Sequence, residues 1–279
     1  MAKRKKRSQN YSKPIRWFWM AFLAVVLGVA LIFILASFGA FGAMPDHTAL
    51  ENPRTNLATE IISADGETLG KFYYEDNRTP VAFNELPKHL VDALIATEDV
   101  RYFDHAGIDV RGTIRAFAFL GKRGGASTIS QQLARQLFVG VRSKNKLETA
   151  TQKIKEWVLA TRLERQYTKE EIIAQYFNIY DFGNNADGIR SASRIYFGKE
   201  PIELSCNESA MLVGMFKNSS LYNPRPKRNP IGTKNRRNVV LSQMAKYGFL
   251  EETHKDSLQK LPLGLNYSPE SHREGIATY

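Results

Sequence analysis

Glu98 is a carboxylate placed where the pattern calls for hydrocarbon. The run Glu98-Asp99-Val100-Arg101-Tyr102-Phe103-Asp104-His105 follows a segment in which Leu90, Val91, Leu94 and Ile95 recur at helical spacing. Glu98 lies four residues after Leu94 and three after Ile95, so it shares their face. An isolated buried carboxylate is costly and must be neutralised, paired or put to use. Desolvation of this kind lifts a carboxyl pKa towards the working range, which marks Glu98 as a candidate proton-transfer group. A charge cluster at a helix end is the plainer reading of Glu98-Asp99 taken alone.

Three further groups could carry chemistry. Gly124-Gly125-Ala126-Ser127-Thr128 runs into a segment with Gln131, Gln132 and Arg135. Ser127 is expected to cap that helix, whose exposed N–H groups favour anions. Gln131 and Gln132 put two amides side by side, as sugar or backbone recognition requires; a Gly-rich connector before a capped helix explains the same letters. Lys153-Ile154-Lys155-Glu156 makes Lys153 and Glu156 helical neighbours, with Ala160 and Leu163 continuing the stripe. That is either an orienting pair or a surface ion pair of little energetic weight. Glu208 to Leu212, ahead of Lys217-Asn218-Ser219-Ser220, reads best as a core helix ending in a Pro-rich loop.

The elements that must position these groups are mostly helical. Helices are expected over about Glu85–Val100, Val110–Leu120, Ser127–Leu137, Lys146–Arg165, Lys169–Tyr180, Ala186–Phe197, Glu203–Phe216 and Gly232–Tyr247. Asn84 is the expected cap of the first. Pro224, Pro226 and Pro230 separate the last two. Ile61-Ile62, Asp65-Gly66 and Leu69 to Tyr74 suggest a small β-hairpin with a two-residue turn. After Leu250 the pattern fades.

At the front, Lys3, Arg4, Lys5, Lys6, Arg7, Lys13 and Arg16 precede any acid, and 17–45 carries no charge. At ~1.5 Å per residue that stretch reaches ~43 Å, beyond the ~30 Å hydrocarbon core of a bilayer. Trp17, Phe18 and Trp19 stand at its basic end, where an aromatic belt belongs. The stretch is too long for a signal-peptide apolar region, although Ala40-Phe41-Gly42-Ala43 resembles a cleavage site. The positive-inside rule leaves the tail in the cytoplasm and everything after Pro45 outside it. Seven of the +11 net charges are therefore tail charges, and nucleic acid is not the expected partner of the folded part. Cys206 is the single cysteine, so intrachain disulfides are excluded, and no His/Cys spacing suggests zinc.

In their order and spacing, these four runs resemble the glycosyltransferase module (family 51) of class A penicillin-binding proteins and monofunctional transglycosylases. The resemblance covers roughly Val81 to Met244. It implies a mainly α, lysozyme-like, two-lobed helical domain with an N-terminal transmembrane helix and a small β-hairpin. It also implies polymerisation of lipid II into β-1,4-linked glycan strands by inversion, with undecaprenyl diphosphate leaving. Glu98 matches the family's general base and Glu156 its second essential glutamate. Arg135 and Lys153 match basic residues near the diphosphate. Ser127, Thr128 and Gln132 match the donor-loop motif, and Asp99, Phe103, His105 and Gln131 join them as expected substrate contacts. The chain departs from the usual pattern in three places: Arg135-Gln136 for Lys-Asn, Gln152 for Arg and Ala174 for Glu.

The resulting organisation is a cytoplasmic basic tail (1–16), a transmembrane anchor (17–43), a linker and hairpin (44–80) and the glycosyltransferase domain (81–250). Residues 251–279 would begin a linker to a C-terminal transpeptidase region. S-x-x-K occurs at Ser143–Lys146 and Ser257–Lys260, but no K-[ST]-G follows, so neither match is read as transpeptidase chemistry. Expected partners are lipid II, the growing glycan strand, the inner membrane and other cell-wall synthesis proteins. No cofactor is required by the residues; family members often respond to a divalent cation such as Mg2+ near the diphosphate. The rival readings are glycan cleavage by a lytic transglycosylase or muramidase, and a non-catalytic glycan-binding scaffold.

Overall fold

Pro87 decides where the helix carrying Glu98 begins. Residues ahead of a proline avoid the helical region, and Leu86 is extended at φ −96°, ψ 128°. A 3-10 turn (Phe83–Glu85) therefore precedes the helix Lys88–Glu98, with Pro87 at its N-cap position and not, as the sequence suggests, Asn84. The computed structural model describes residues 12–51, 58–65, 68–72, 77–119, 125–225 and 228–269. The tail Lys3–Arg7, the turn residue Gly66, Tyr74, Leu120, Gly124 and Pro226 lie outside them, as do Lys122 and Arg123, the expected continuation of a basic rim that begins with Arg111 and Arg115.

The elements in order are α1 (Ser12–Ser37), α2 (His47–Glu51), β1 (Thr59–Ile62), β2 (Thr68–Phe72), α3 (Lys88–Glu98), α4 (Val110–Ala118) and α5 (Ile129–Ala134). They continue with α6 (Lys146–Gln166), α7 (Lys169–Ile179), α8 (Gly188–Phe197), α9 (Cys206–Met215), α10 (Pro230–Lys246) and α11 (Glu252–Lys260). Most starts are written in side chains. Thr168 and Ser205 cap α7 and α9, each in a reciprocal pair with a glutamate three residues on. Asp109, Asn145 and Asn229 cap α4, α6 and α10.

The mainly α architecture agrees with the sequence reading, with four further local differences. The strands pair antiparallel as Thr59↔Phe72 and Ile62↔Thr68 with an irregularity at Ile61/Ile62, which leaves a connection longer than two residues. The expected helix Ser127–Leu137 is α5 followed by a π-helical turn (Arg135–Val139), closed by Gly140 at φ 79°. The apolar helix ends at Ser37, before the uncharged stretch does. Finally, α11 was not expected. It is polar and buries Leu258, and it is held by Arg237, a fully buried guanidinium that donates to the carbonyls of Gln259, Leu261 and Pro262.

Packing sorts the helices into two groups around a shared core. In one, α3 lies against α9 and α10, with α11 on α10; in the other, α5 lies on α6 and α7. Leu94, Leu133, Tyr176, Phe177 and Phe216 are among the buried residues that join them. Helix α1 is long and apolar enough to cross a membrane. It touches the rest through α6, where Phe33 stacks on Trp157 at 6.0 Å and Arg162 Nη2 donates to the Ser37 carbonyl at 3.2 Å.

Candidate active site

Glu98 is the last residue of α3 and opens onto a cleft of about 660 Å³ between the two groups of helices. It is half-buried, not enclosed as its stripe position suggests. Gln132 Nε2 donates to Glu98 Oε2 at 2.9 Å, and Tyr176 Oη donates to Gln132 Oε1 at 2.9 Å. Tyr176 is fully buried. Burial first, and the nearby Glu98 second, push its phenol well above the usual value, so it stays a donor. An amide held at one end by a donor presents its N–H₂ at the other. Gln132 is thereby oriented towards the carboxylate.

The neighbouring acid has a different task. Asp99 is buried; His105 Nε2 approaches both its oxygens at 3.1 and 3.2 Å, and the backbone N–H of Ile129 donates at 3.1 Å. Asp99 thus ties the end of α3 to the start of α5. Thr128, not Ser127, caps α5: its Oγ1 accepts from Gln131 N and donates to the Gly107 carbonyl at 2.7 Å. The two adjacent amides part company because consecutive helical residues point about 100° apart. Gln131 turns inward, donating to the Gly107 carbonyl at 3.2 Å and accepting from Lys153, while Gln132 faces the cleft. Phe103 is 60% exposed, sits edge-on to Tyr102 and does not line the cleft.

On α6, Glu156 is 1% exposed, so its pairing with Lys153 is no surface ion pair. Lys153 Nζ donates to Glu156 Oε2 at 2.8 Å, and Arg142 Nη2 donates to Oε1 at 2.8 Å. Burial pulls the Lys153 ammonium below the ordinary lysine value, against the opposing pull of Glu156. Arg142 was invisible in the sequence because it precedes α6 in an irregular segment. Gln152 holds that segment in place, accepting from Ser143 N at 3.0 Å and donating to the Val141 carbonyl at 3.0 Å. An arginine there could not accept. The third departure, Ala174, is buried on α7 away from the cleft.

The cleft carries Arg101, Arg115, Arg135, Lys217, Arg236 and Lys246 against Glu98, Asp99 and Asp109. Two of those acids are occupied, Asp99 by His105 and Asp109 by Arg101. The space in front of Glu98 is therefore net positive and suits an anionic ligand. Arg236 and Lys246 come from α10, a contribution that no local motif signals. Glu208 follows the plainer reading: it is 7% exposed, completes the cap of α9 and pairs with Lys199 at 2.8 Å. Among the described residues no group of three His, Cys, Asp or Glu side chains could hold a metal ion. A cationic lining does not fit a protein-held divalent ion.

Residues 65–245 match the family model described as Transglycosylase. Penicillin-binding protein 1A of Pseudomonas aeruginosa is 34% identical over 270 residues, covering 94% of this chain and 32% of that protein. Penicillin-binding protein 1A of Escherichia coli is 37% identical over 252 residues (89% and 29%). Penicillin-binding protein 1F of Bacillus subtilis is 33% identical over 267 residues (93% and 34%). The chain spans about a third of the length of these curated relatives.

Proposed function

The chain belongs to the transglycosylase family, and on that premise we propose that it is a peptidoglycan glycosyltransferase that polymerises lipid II. Glu98, held by Gln132 at the edge of a cationic cleft, is the observation that carries this reading. Its carboxylate takes the proton from the 4-hydroxyl of an acceptor GlcNAc as that oxygen attacks the donor's anomeric carbon. The α-linked donor becomes a β-1,4 linkage by inversion, and undecaprenyl diphosphate departs. Such a leaving group needs positive charge more than a strong acid. Arg135 supplies it from the cleft wall and Lys153 from α6, its ammonium held by Glu156, which also accepts from Arg142. Glycan cleavage releases no diphosphate and so calls for no cations placed at a leaving group. The same basic lining therefore favours synthesis over glycan hydrolysis.

The apolar helix α1 then serves as a single-pass inner-membrane anchor, with the basic tail in the cytoplasm and the domain at 81–250 on the outer side. A lipid-linked donor fits an enzyme tethered at the bilayer. The deciding experiment incubates the detergent-solubilised protein with lipid II and separates products on a gel. Glycan ladders from the wild type that vanish in a folded Glu98→Gln variant are expected. Shortened glycan without ladders points to cleavage instead, and activity unaffected by Glu98→Gln removes the carboxylate from the mechanism.

A further inference from the structure

The Lys153 ammonium has three N–H bonds and three acceptors already in place. Nζ donates to Ser127 Oγ at 2.9 Å, to Gln131 Oε1 at 3.1 Å and to Glu156 Oε2 at 2.8 Å. An ammonium has no fourth donor. A phosphate oxygen can be bound there only by displacing one of the three.

The three are unequal. Glu156 is a buried carboxylate also held by Arg142, and separating it from Lys153 would strand charge. Gln131 is fully buried, and its Nε2 is tied to the Gly107 carbonyl. Ser127 is half-buried, lies outside α5 and offers a neutral hydroxyl. With Ala126, it also stands where two cavities meet. Ser127 lines both the cationic cleft and an apolar groove of about 460 Å³ bordered by Phe117, Trp157 and Lys153.

We propose that Ser127 is a latch: its hydroxyl occupies the third Lys153 donor until a ligand's diphosphate oxygen takes its place. Ser127 is thus a positioning residue, acting through Lys153. The exchange swaps one acceptor for another, so no covalent bond changes and no proton moves. It is favourable because a charged acceptor replaces a neutral one. The proposal rests on the reading of Lys153 as a diphosphate-binding group, and the test separates the two.

Inorganic diphosphate is titrated calorimetrically into the detergent-solubilised full chain. Ser127→Ala, and Ser127→Gly as a second variant without the hydroxyl, are expected to bind roughly three- to tenfold tighter than the wild type. Lys153→Ala is expected to bind more weakly. Equal or weaker binding by both Ser127 variants overturns the latch, since it makes the hydroxyl either idle or a direct ligand. Undetectable binding by the wild type, or unchanged binding by Lys153→Ala, overturns it as well. Tighter binding by the Ser127 variants in a protein that forms no glycan from lipid II leaves the latch standing and sinks the polymerase reading alone.

Discussion

Tyr176, buried on α7, fixes the amide of Gln132 at 2.9 Å, and that amide in turn meets Glu98 at 2.9 Å. The phenol never touches the cleft, yet it decides which end of Gln132 the carboxylate sees. Tyr176→Phe keeps the ring that stacks on Phe216 at 4.8 Å and removes only this constraint. The variant should lose about 1 kcal/mol of stability and roughly tenfold in polymerisation rate. Initial rates on lipid II check this, and an unchanged rate would show that Gln132 orients itself.

Glu156→Gln tests the paired cations on α6. The substitution keeps the shape but leaves Lys153 and Arg142 without the buried charge that separates them. Removing one member of a buried pair costs about 3 kcal/mol; both cations are partly exposed, so a somewhat smaller loss is expected. Chemical denaturation measures the stability, and glycan formation should fall severely. A variant as stable and as active as the wild type contradicts the assignment.

Lys153 also predicts an alkaline limb. Its folded pKa lies below the ordinary lysine value because of burial, so the folded protein releases this proton before the unfolded chain does. Between the two values the unfolded state binds more protons, and this group's contribution to stability rises with pH. Activity should move the other way, falling as the ammonium loses its charge below pH ~10.4. Lys153→Arg, which does not deprotonate, should push the limb upward. A limb at the same pH in both proteins would assign it to another group.

Helix α4 presents Ile114 (64% exposed) and Phe117 (82%), with Phe119 (40%) just beyond its end, beside Arg111 and Arg115. An apolar face with a basic rim suits the headgroup layer of a bilayer. Replacing Phe117 and Phe119 by Ser, in protein lacking residues 1–43, should weaken co-sedimentation with anionic liposomes several-fold. Unchanged sedimentation means that the patch has another use.

The local pattern alone was enough to read the helical class, the long apolar helix and the run of α3 up to Glu98, though not that Glu98 is half-buried at a cleft. Leu90, Val91, Leu94 and Ile95 announce α3 because helical periodicity is a property of neighbouring residues, and a charge-free run needs no partner to be apolar. The Lys153–Glu156 contact was legible for the same reason, being one turn apart on α6. Folding decided what distance along the chain conceals. Gln132 rather than Gln131 faces Glu98 because packing against α6 and α7 sets the rotation of α5. Arg142 reaches Glu156 because Gln152 fixes the path of an irregular segment, and Arg236 and Lys246 enter the cleft because α10 packs on α3. Periodicity tells which face a residue occupies; only the packing of one element on another tells what that face meets.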